Sequence, residues 1–148
     1  MTTLNMQLND KSAIQDLINI RLQAVRQKDI ETCLSLFSSD IISYDVVNPL
    51  QFKGKATIRE RLVKWFGSFD GNPQFDIAEL QIGGSSDIAF YHCLNHVQAK
   101  LFVGTELDMW YRESTILQKF DNKWLIIHSH TSAPFNTQTG KASLNLKP

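Results

Sequence analysis

The spacing of apolar residues changes period near residue 74, and that change divides the chain into a helical half and a sheet half. Ile14, Leu17, Ile18, Leu22 and Val25 recur at helical spacing, and Ser12 followed by Gln15 reads as a capping box at the start of this first helix. After Gln27 and Lys28, Asp29 can cap a second, short helix with Ile30, Cys33, Leu34 and Phe37 as its apolar residues. The segment from Asp40 to Val47 is rich in β-branched and aromatic residues and runs into Asn48-Pro49, as a strand entering a turn would. Thr57 and Glu60 repeat the capping-box pattern. Ile58, Leu62, Trp65, Phe66 and Phe69 then draw one stripe until Gly71-Asn72-Pro73 stops the third helix.

From Gln74 onward apolar and polar residues alternate, which predicts strands near 74–82, 87–103, 107–120 and 123–133. Gly83-Gly84, Gly104 and the two-residue link Asp121-Asn122 supply turns, and links this short force neighbouring strands to run antiparallel. Three N-terminal helices followed by such a meander predict an α+β fold of two layers, helices covering one face of a curved antiparallel sheet. One domain over residues 1–148 accommodates all of this, with the polar, aperiodic stretch 136–148 as a C-terminal arm. A pocket falls naturally between the layers.

Strand parity sorts the polar residues. On the strand at 107–120 one set is Asp108, Trp110, Arg112, Ser114 and Ile116, and the other is Leu107, Met109, Tyr111, Glu113 and Thr115. Trp124, Ile126, His128, His130 and Ser132 share a side of the last strand, and Phe90, His92, Leu94 and His96 share one on the second. The set with Trp110, Arg112, His92 and His130 mixes aromatic bodies with polar heads, as a pocket for a small organic ligand requires. The competing reading makes these residues a solvent or dimer face. His128 and His130 have the strand spacing of metal ligands but no evident third ligand, so no metal is expected, and hydrogen-bonded histidines are the commoner outcome. Asp45 stands in the otherwise apolar run Ile41 to Val47; desolvation there would make its carboxylate a stronger base, while the plain alternative is a cap for the Asn48-Pro49 turn.

Composition narrows the partners. Acidic and basic residues balance at 15 each, which leaves no charge excess for nucleic acid or an acidic membrane. No secretory leader and no apolar run of bilayer length is seen, so a cytoplasmic location is expected. Cys33 and Cys93 lie in apolar runs and read as reduced core thiols.

Ser35 to Asp40, Tyr44-Asp45, Lys53-Gly54 and the helix from Thr57 together resemble the front half of ketosteroid isomerases and their SnoaL-like relatives. Gly104-Thr105-Glu106, Asp108 to Arg112, Lys119 to Trp124 and His128 to Phe135 resemble the back half of the same group. The tail from Thr139 to Pro148 is similar to a bacterial branch of ketosteroid isomerase homologues. The resemblance implies the cone-shaped cystatin-like fold shared with nuclear transport factor 2, usually a homodimer, with its cavity between helices and sheet. It also implies Asp45 as the general base, where the isomerase works an Asp against a tyrosine and a protonated Asp. Arg21 falls where that tyrosine would lie, and Glu113-Ser114-Thr115 offers no clear counterpart of the acid, so steroid isomerisation itself is not implied.

Two functions follow as expectations. In the first, an isomerase, lyase or hydrolase needing no cofactor uses Asp45 as base, with Arg112 and His130 as catalytic partners. Tyr44, Trp65, His92, Trp110 and His128 contact the ligand in this reading. In the second, the same pocket only binds a ligand, or the chain serves as a dimerisation module.

Overall fold

A computed structural model describes residues 6–148. Its elements run α1 (Leu8–Arg26), α2 (Ile30–Ser35), β1 (Phe37–Tyr44), β2 (Phe52–Lys53), α3 (Gly54–Gly67), β3 (Gln74–Gly84), β4 (Ile88–Lys100), β5 (Glu106–Phe120) and β6 (Lys123–Ser132). Six strands form one curved sheet in the order β2-β1-β6-β5-β4-β3. The helices cover one of its faces, so the molecule has the α+β cone architecture.

The alternating half folds as the meander its turns dictate. Asp121 and Asn122 both adopt positive φ, the geometry a two-residue hairpin with matching twist needs. At the β3–β4 hairpin a Cβ on Gly84 would lie 2.5 Å from the Ala89 backbone, so glycine alone lets those strands close there. Beyond the expected antiparallel meander, β1 pairs in parallel with β6, which gives a mixed sheet. The crossover is possible because one helix and four strands separate the two segments in sequence.

Helix boundaries differ from the sequence expectation. Asp29 caps α2 as predicted, accepting the Thr32 amide at 3.0 Å. However, α1 begins at Leu8, ahead of Ser12, and its Gln7 cap makes no side-chain bond. A tertiary anchor accounts for the extra turn: Asp10 accepts from Lys119 Nζ at 2.6 Å and from Trp124 Nε1 at 3.1 Å. Likewise α3 starts at Gly54, and Thr57 sits inside it, donating back to the Lys53 and Gly54 carbonyls. That helix stops at Gly67, and Phe69 leaves it to bridge Leu101. Strand β1 occupies 37–44, earlier than the expected 40–47, and leaves Asp45 to Val47 in the loop beyond.

Two apolar clusters fill the space between the layers. One joins Ile14, Leu17 and Ile18 to Ile41, Tyr91, Leu117 and Ile126; the other joins Val25, Phe66 and Phe69 to Phe75, Val97 and Met109. Cys33 and Cys93 are buried and free, and burial pushes their thiols up to about 11 and about 12. Among the described residues no helix is long and apolar enough to cross a membrane. The tail turns back on itself, with Phe135 bridging Ala142.

Candidate functional site

Helix α1 lays Ile14, Leu17, Ile18 and Val25 on the sheet, and Arg21 falls on that same buried stripe. From the sheet side, β5 turns Met109, Tyr111, Glu113 and Thr115 toward the helices. Between the layers lies a cavity of about 140 Å³. Its walls are largely apolar, from Phe37, Phe52, Ile58, Leu62, Trp65 and Met109. Polar groups enter from several sides: Arg21 on α1, Arg61 on α3, Tyr111 on β5, Ser43 with Asp45 on and after β1, and Ser129 with Thr131 on β6. An engineered protein cavity of about 150 Å³ holds benzene, so the space suits a compact molecule and is small for a steroid.

Behind the cavity wall Glu113 is 2% exposed and fully partnered. Its carboxylate accepts from Asn95 Nδ2 at 2.7 Å, Thr115 Oγ1 at 2.8 Å, Tyr91 Oη at 3.0 Å and the Arg21 guanidinium. Burial alone would push this acid up, but the Arg21 charge and the hydrogen bonds outweigh it and hold Glu113 below the usual carboxylate range. Arg21 Nη1 also donates to Tyr91 Oη at 2.8 Å, which uses both of its hydrogens. Among the described residues Nε and Nη2 of Arg21 meet no acceptor, although the side chain lines the cavity. Tyr111 also lines it, and its hydroxyl has no hydrogen-bond partner among the described residues. Burial pushes that phenol above its ordinary range against the pull of Arg21, and the charges of Glu113 and Asp45 add to the rise.

Asp45 faces this cavity, in different surroundings from those its sequence neighbours suggest. Ile42, Val46 and Val47 are 36%, 36% and 43% exposed, so they do not strip water from the carboxylate. Instead Arg61 Nε donates to Oδ2 at 2.8 Å and the Val46 amide to Oδ1 at 2.6 Å. The run that looked buried is a strand end followed by an exposed loop, and a cation from α3 supplies the environment. Trp65 stands one helical turn beyond Arg61, with the guanidinium 5.8 Å from its ring centre.

The other residues singled out in sequence lie on the opposite, outer face of the sheet. Strand β5 presents Leu107, Met109, Tyr111, Glu113 and Thr115 to the helices, so Trp110 and Arg112 point away from the cavity. On β6 the expected parity set is split by a bulge: Leu117 pairs with Ile126 but Ile116 with His128, leaving Ile127 as the extra residue. Trp124 and Ile126 are therefore buried inward, whereas His128 and His130 lie outward and Ser129 and Thr131 reach the cavity. Tyr44 joins the outer group, its ring 4.7 Å from His128 and 5.4 Å from His130. His128 Nδ1 lies 2.8 Å from the Ile42 carbonyl oxygen, and Arg112 Nε donates to Ser132 Oγ at 3.1 Å. His92 and Arg112 share a shallow outer groove with Glu79, Gln81 and Ser114. Among the described residues no three potential ligands assemble around a metal position.

Arg21 and Tyr111 in the cavity, and Glu113 behind its wall, were not among the candidate site residues expected from the sequence. A signal for two of them was present: an arginine inside the apolar stripe of α1 and a glutamate inside one parity set of β5 are complementary charges on two faces that pack together.

The chain matches the SnoaL-like domain family over residues 14–136. A nuclear transport factor 2-like protein of unknown function from Pseudomonas putida is 31% identical, superposes with a TM-score of 0.88, and the alignment covers 97% of this chain and 100% of that one. A nuclear transport factor 2-like superfamily protein from Salmonella enterica shares 22% identity and a TM-score of 0.77, over 91% of this chain and 98% of that one. A ketosteroid isomerase-like protein from Erwinia carotovora shares the fold at 20% identity, with a TM-score of 0.73 over 85% and 97% of the two chains. No curated protein matches the sequence. A family match over most of the chain and a close relative aligned from end to end agree with the cone of helices on a curved sheet, so the chain belongs to the SnoaL-like domain family of the nuclear transport factor 2-like superfamily.

Proposed function

We propose that the cavity binds a small, neutral carbonyl compound and that Asp45 exchanges a proton with the carbon beside that carbonyl. The observation that carries this reading is the division of labour within one apolar cavity. One carboxylate lines it, together with Arg21, Tyr111 and Arg61, on which the free edge of Arg21, the Tyr111 hydroxyl and the Arg61 Nη groups meet no hydrogen-bond partner among the described residues. Removal of a proton by Asp45 sends the electron pair onto the carbonyl oxygen, and fixed donors stabilise the charge that develops there. Returning the proton at another carbon is an isomerisation, and expelling a leaving group from the enolate is a lyase reaction. Trp65 and the aliphatic wall hold the body of the substrate. The donors in this scheme are Arg21 and Tyr111, in place of Arg112, His92 and His130 on the outer face. The ketosteroid isomerase-like neighbour supports a reaction of this class.

A purely binding role is favoured by one observation, that both Asp45 oxygens are already engaged by hydrogen bonds from the protein, one from the Val46 amide and one from Arg61. Both roles require the cavity to fill. In a thermal-shift screen of small ketones, lactones and esters, a ligand at 100 times its Kd should stabilise the protein by about 2.7 kcal/mol, or roughly 5–10 °C for a chain of this length. Leu107→Trp, which narrows the cavity, should abolish the shift. Absence of any saturable shift, or a shift indifferent to that substitution, would remove this function.

The proposal includes a cytoplasmic homodimer of single-domain protomers, joined through the outer sheet face. That face exposes Ile42, Tyr44, Phe90, Ile116 and Phe120, more apolar surface than a lone sheet face usually leaves in water. The sequence pattern predicts a dimer face carrying Tyr111, Leu125 and Ile127, and of these Tyr111 lines the cavity instead. Sedimentation equilibrium at micromolar concentration should give twice the chain mass, and a strictly monomeric mass would refute the dimer.

A further inference from the structure

Arg21 and Glu113 meet across the two layers, one on the helix stripe and one on the inward set of β5. Glu113 makes no contact with the cavity's contents, because its oxygens are consumed by Arg21, Tyr91, Asn95 and Thr115. The pair is nonetheless part of the site. Arg21 lines the cavity with its Nε and Nη2 unpartnered among the described residues while Glu113 balances its charge, and Asp45 balances Arg61 at the adjacent wall. The cavity thus offers strong donors without surplus positive charge. A carboxylate entering it would leave one negative charge uncompensated in a largely apolar space, a cost that a neutral carbonyl does not meet.

We infer that Glu113 is the charge selector of the cavity: by neutralising Arg21 and fixing its free edge, it makes the site take neutral carbonyl compounds and reject carboxylates of the same shape. This rests on the reading that the cavity binds a carbonyl compound, and it assigns Glu113 a positioning role, with no contact to the substrate. A guanidinium edge without a balancing acid is a ready bidentate partner for a carboxylate, so removing the Glu113 charge should invert the preference.

Benzamide and benzoate have nearly the same shape and differ in charge at neutral pH, and their rings are of the size this cavity admits. Their binding to the wild-type chain and to Glu113→Gln is measured by calorimetry and thermal shift. The wild type should bind benzamide at least tenfold more tightly than benzoate, and Glu113→Gln should move that ratio roughly 100-fold toward benzoate. A general loosening of the fold would weaken both ligands together and leave the ratio unchanged. Benzoate binding the wild type as tightly as benzamide overturns the inference, and that measurement decides the matter even if Glu113→Gln fails to fold. A folded Glu113→Gln with an unchanged ratio overturns it as well. If benzamide and other neutral carbonyl compounds fail to bind the wild type while benzoate binds Glu113→Gln alone, the selector stands and the carbonyl reading falls.

Discussion

Asp45→Asn should lower turnover of a cavity-bound carbonyl substrate by roughly 10²–10⁴-fold while changing its affinity little. The amide keeps the shape of the side chain and can still accept from Arg61 Nε, which now stands 2.8 Å from Oδ2, but it cannot take a proton from carbon. The loss should therefore appear in kcat, with KM nearly constant, because proton transfer belongs to the transition state and not to the bound complex. Steady-state kinetics on the best ligand of the thermal-shift screen would read it. If the chain only binds its ligand, the wild type turns nothing over and Asp45→Asn leaves the Kd within a few fold. Turnover that survives the substitution would assign proton transfer to another group.

Arg21→Met should cost about 3–5 kcal/mol, because it leaves Glu113 charged and 2% exposed without its counter-ion. Arg21 is itself 19% exposed toward the cavity, so the lower half of that range is the better expectation. The pH dependence gives the sharper test. In the wild type Glu113 is held below its unfolded value, so its contribution to stability is complete above about pH 4.3 and is lost as the pH falls below that. Without Arg21, burial dominates and the sign reverses: the folded form then binds its proton more tightly than the unfolded form, and acidification relieves the strain. Urea unfolding between pH 7 and pH 5 should show the difference between wild type and variant shrinking as the pH falls. A difference that stays constant over that range would show that Glu113 is not the group left stranded. The double variant Arg21→Met with Glu113→Gln should recover a large part of the stability, since the amide removes the stranded charge and keeps an oxygen that accepts from the buried donors Asn95, Thr115 and Tyr91.

The site was less legible in the sequence than the fold. Asp45 and Trp65 reach the cavity, as the pattern and the resemblance suggested, but the chemistry around Asp45 comes from Arg61, sixteen residues away on α3. The valines beside it looked like a desolvating wall and are exposed, because the strand ends at Tyr44 and the loop beyond turns them outward. His92, Trp110, Arg112 and His130 drew attention as a mixture of aromatic and polar groups that fits a pocket and an outer sheet face equally well. Alternation divides a strand into two sets, but it carries no sign that says which set meets the helices.

The period change near residue 74, the Asp29 cap and the turns at Gly83-Gly84 and Asp121-Asn122 determined the three helices and the four-stranded meander, because these are local preferences of backbone and side chain. Tertiary structure decided the rest. It extended α1 to Leu8 through the Asp10 contacts with Lys119 and Trp124, and it added β1 beside β6 in parallel. A single extra residue at Ile127 then sent Trp124 and the two histidines of β6 to opposite faces. Burial of Tyr91, Glu113 and Asn95 against α1 fixed the inward face of the sheet, because only that orientation gives the buried carboxylate its arginine.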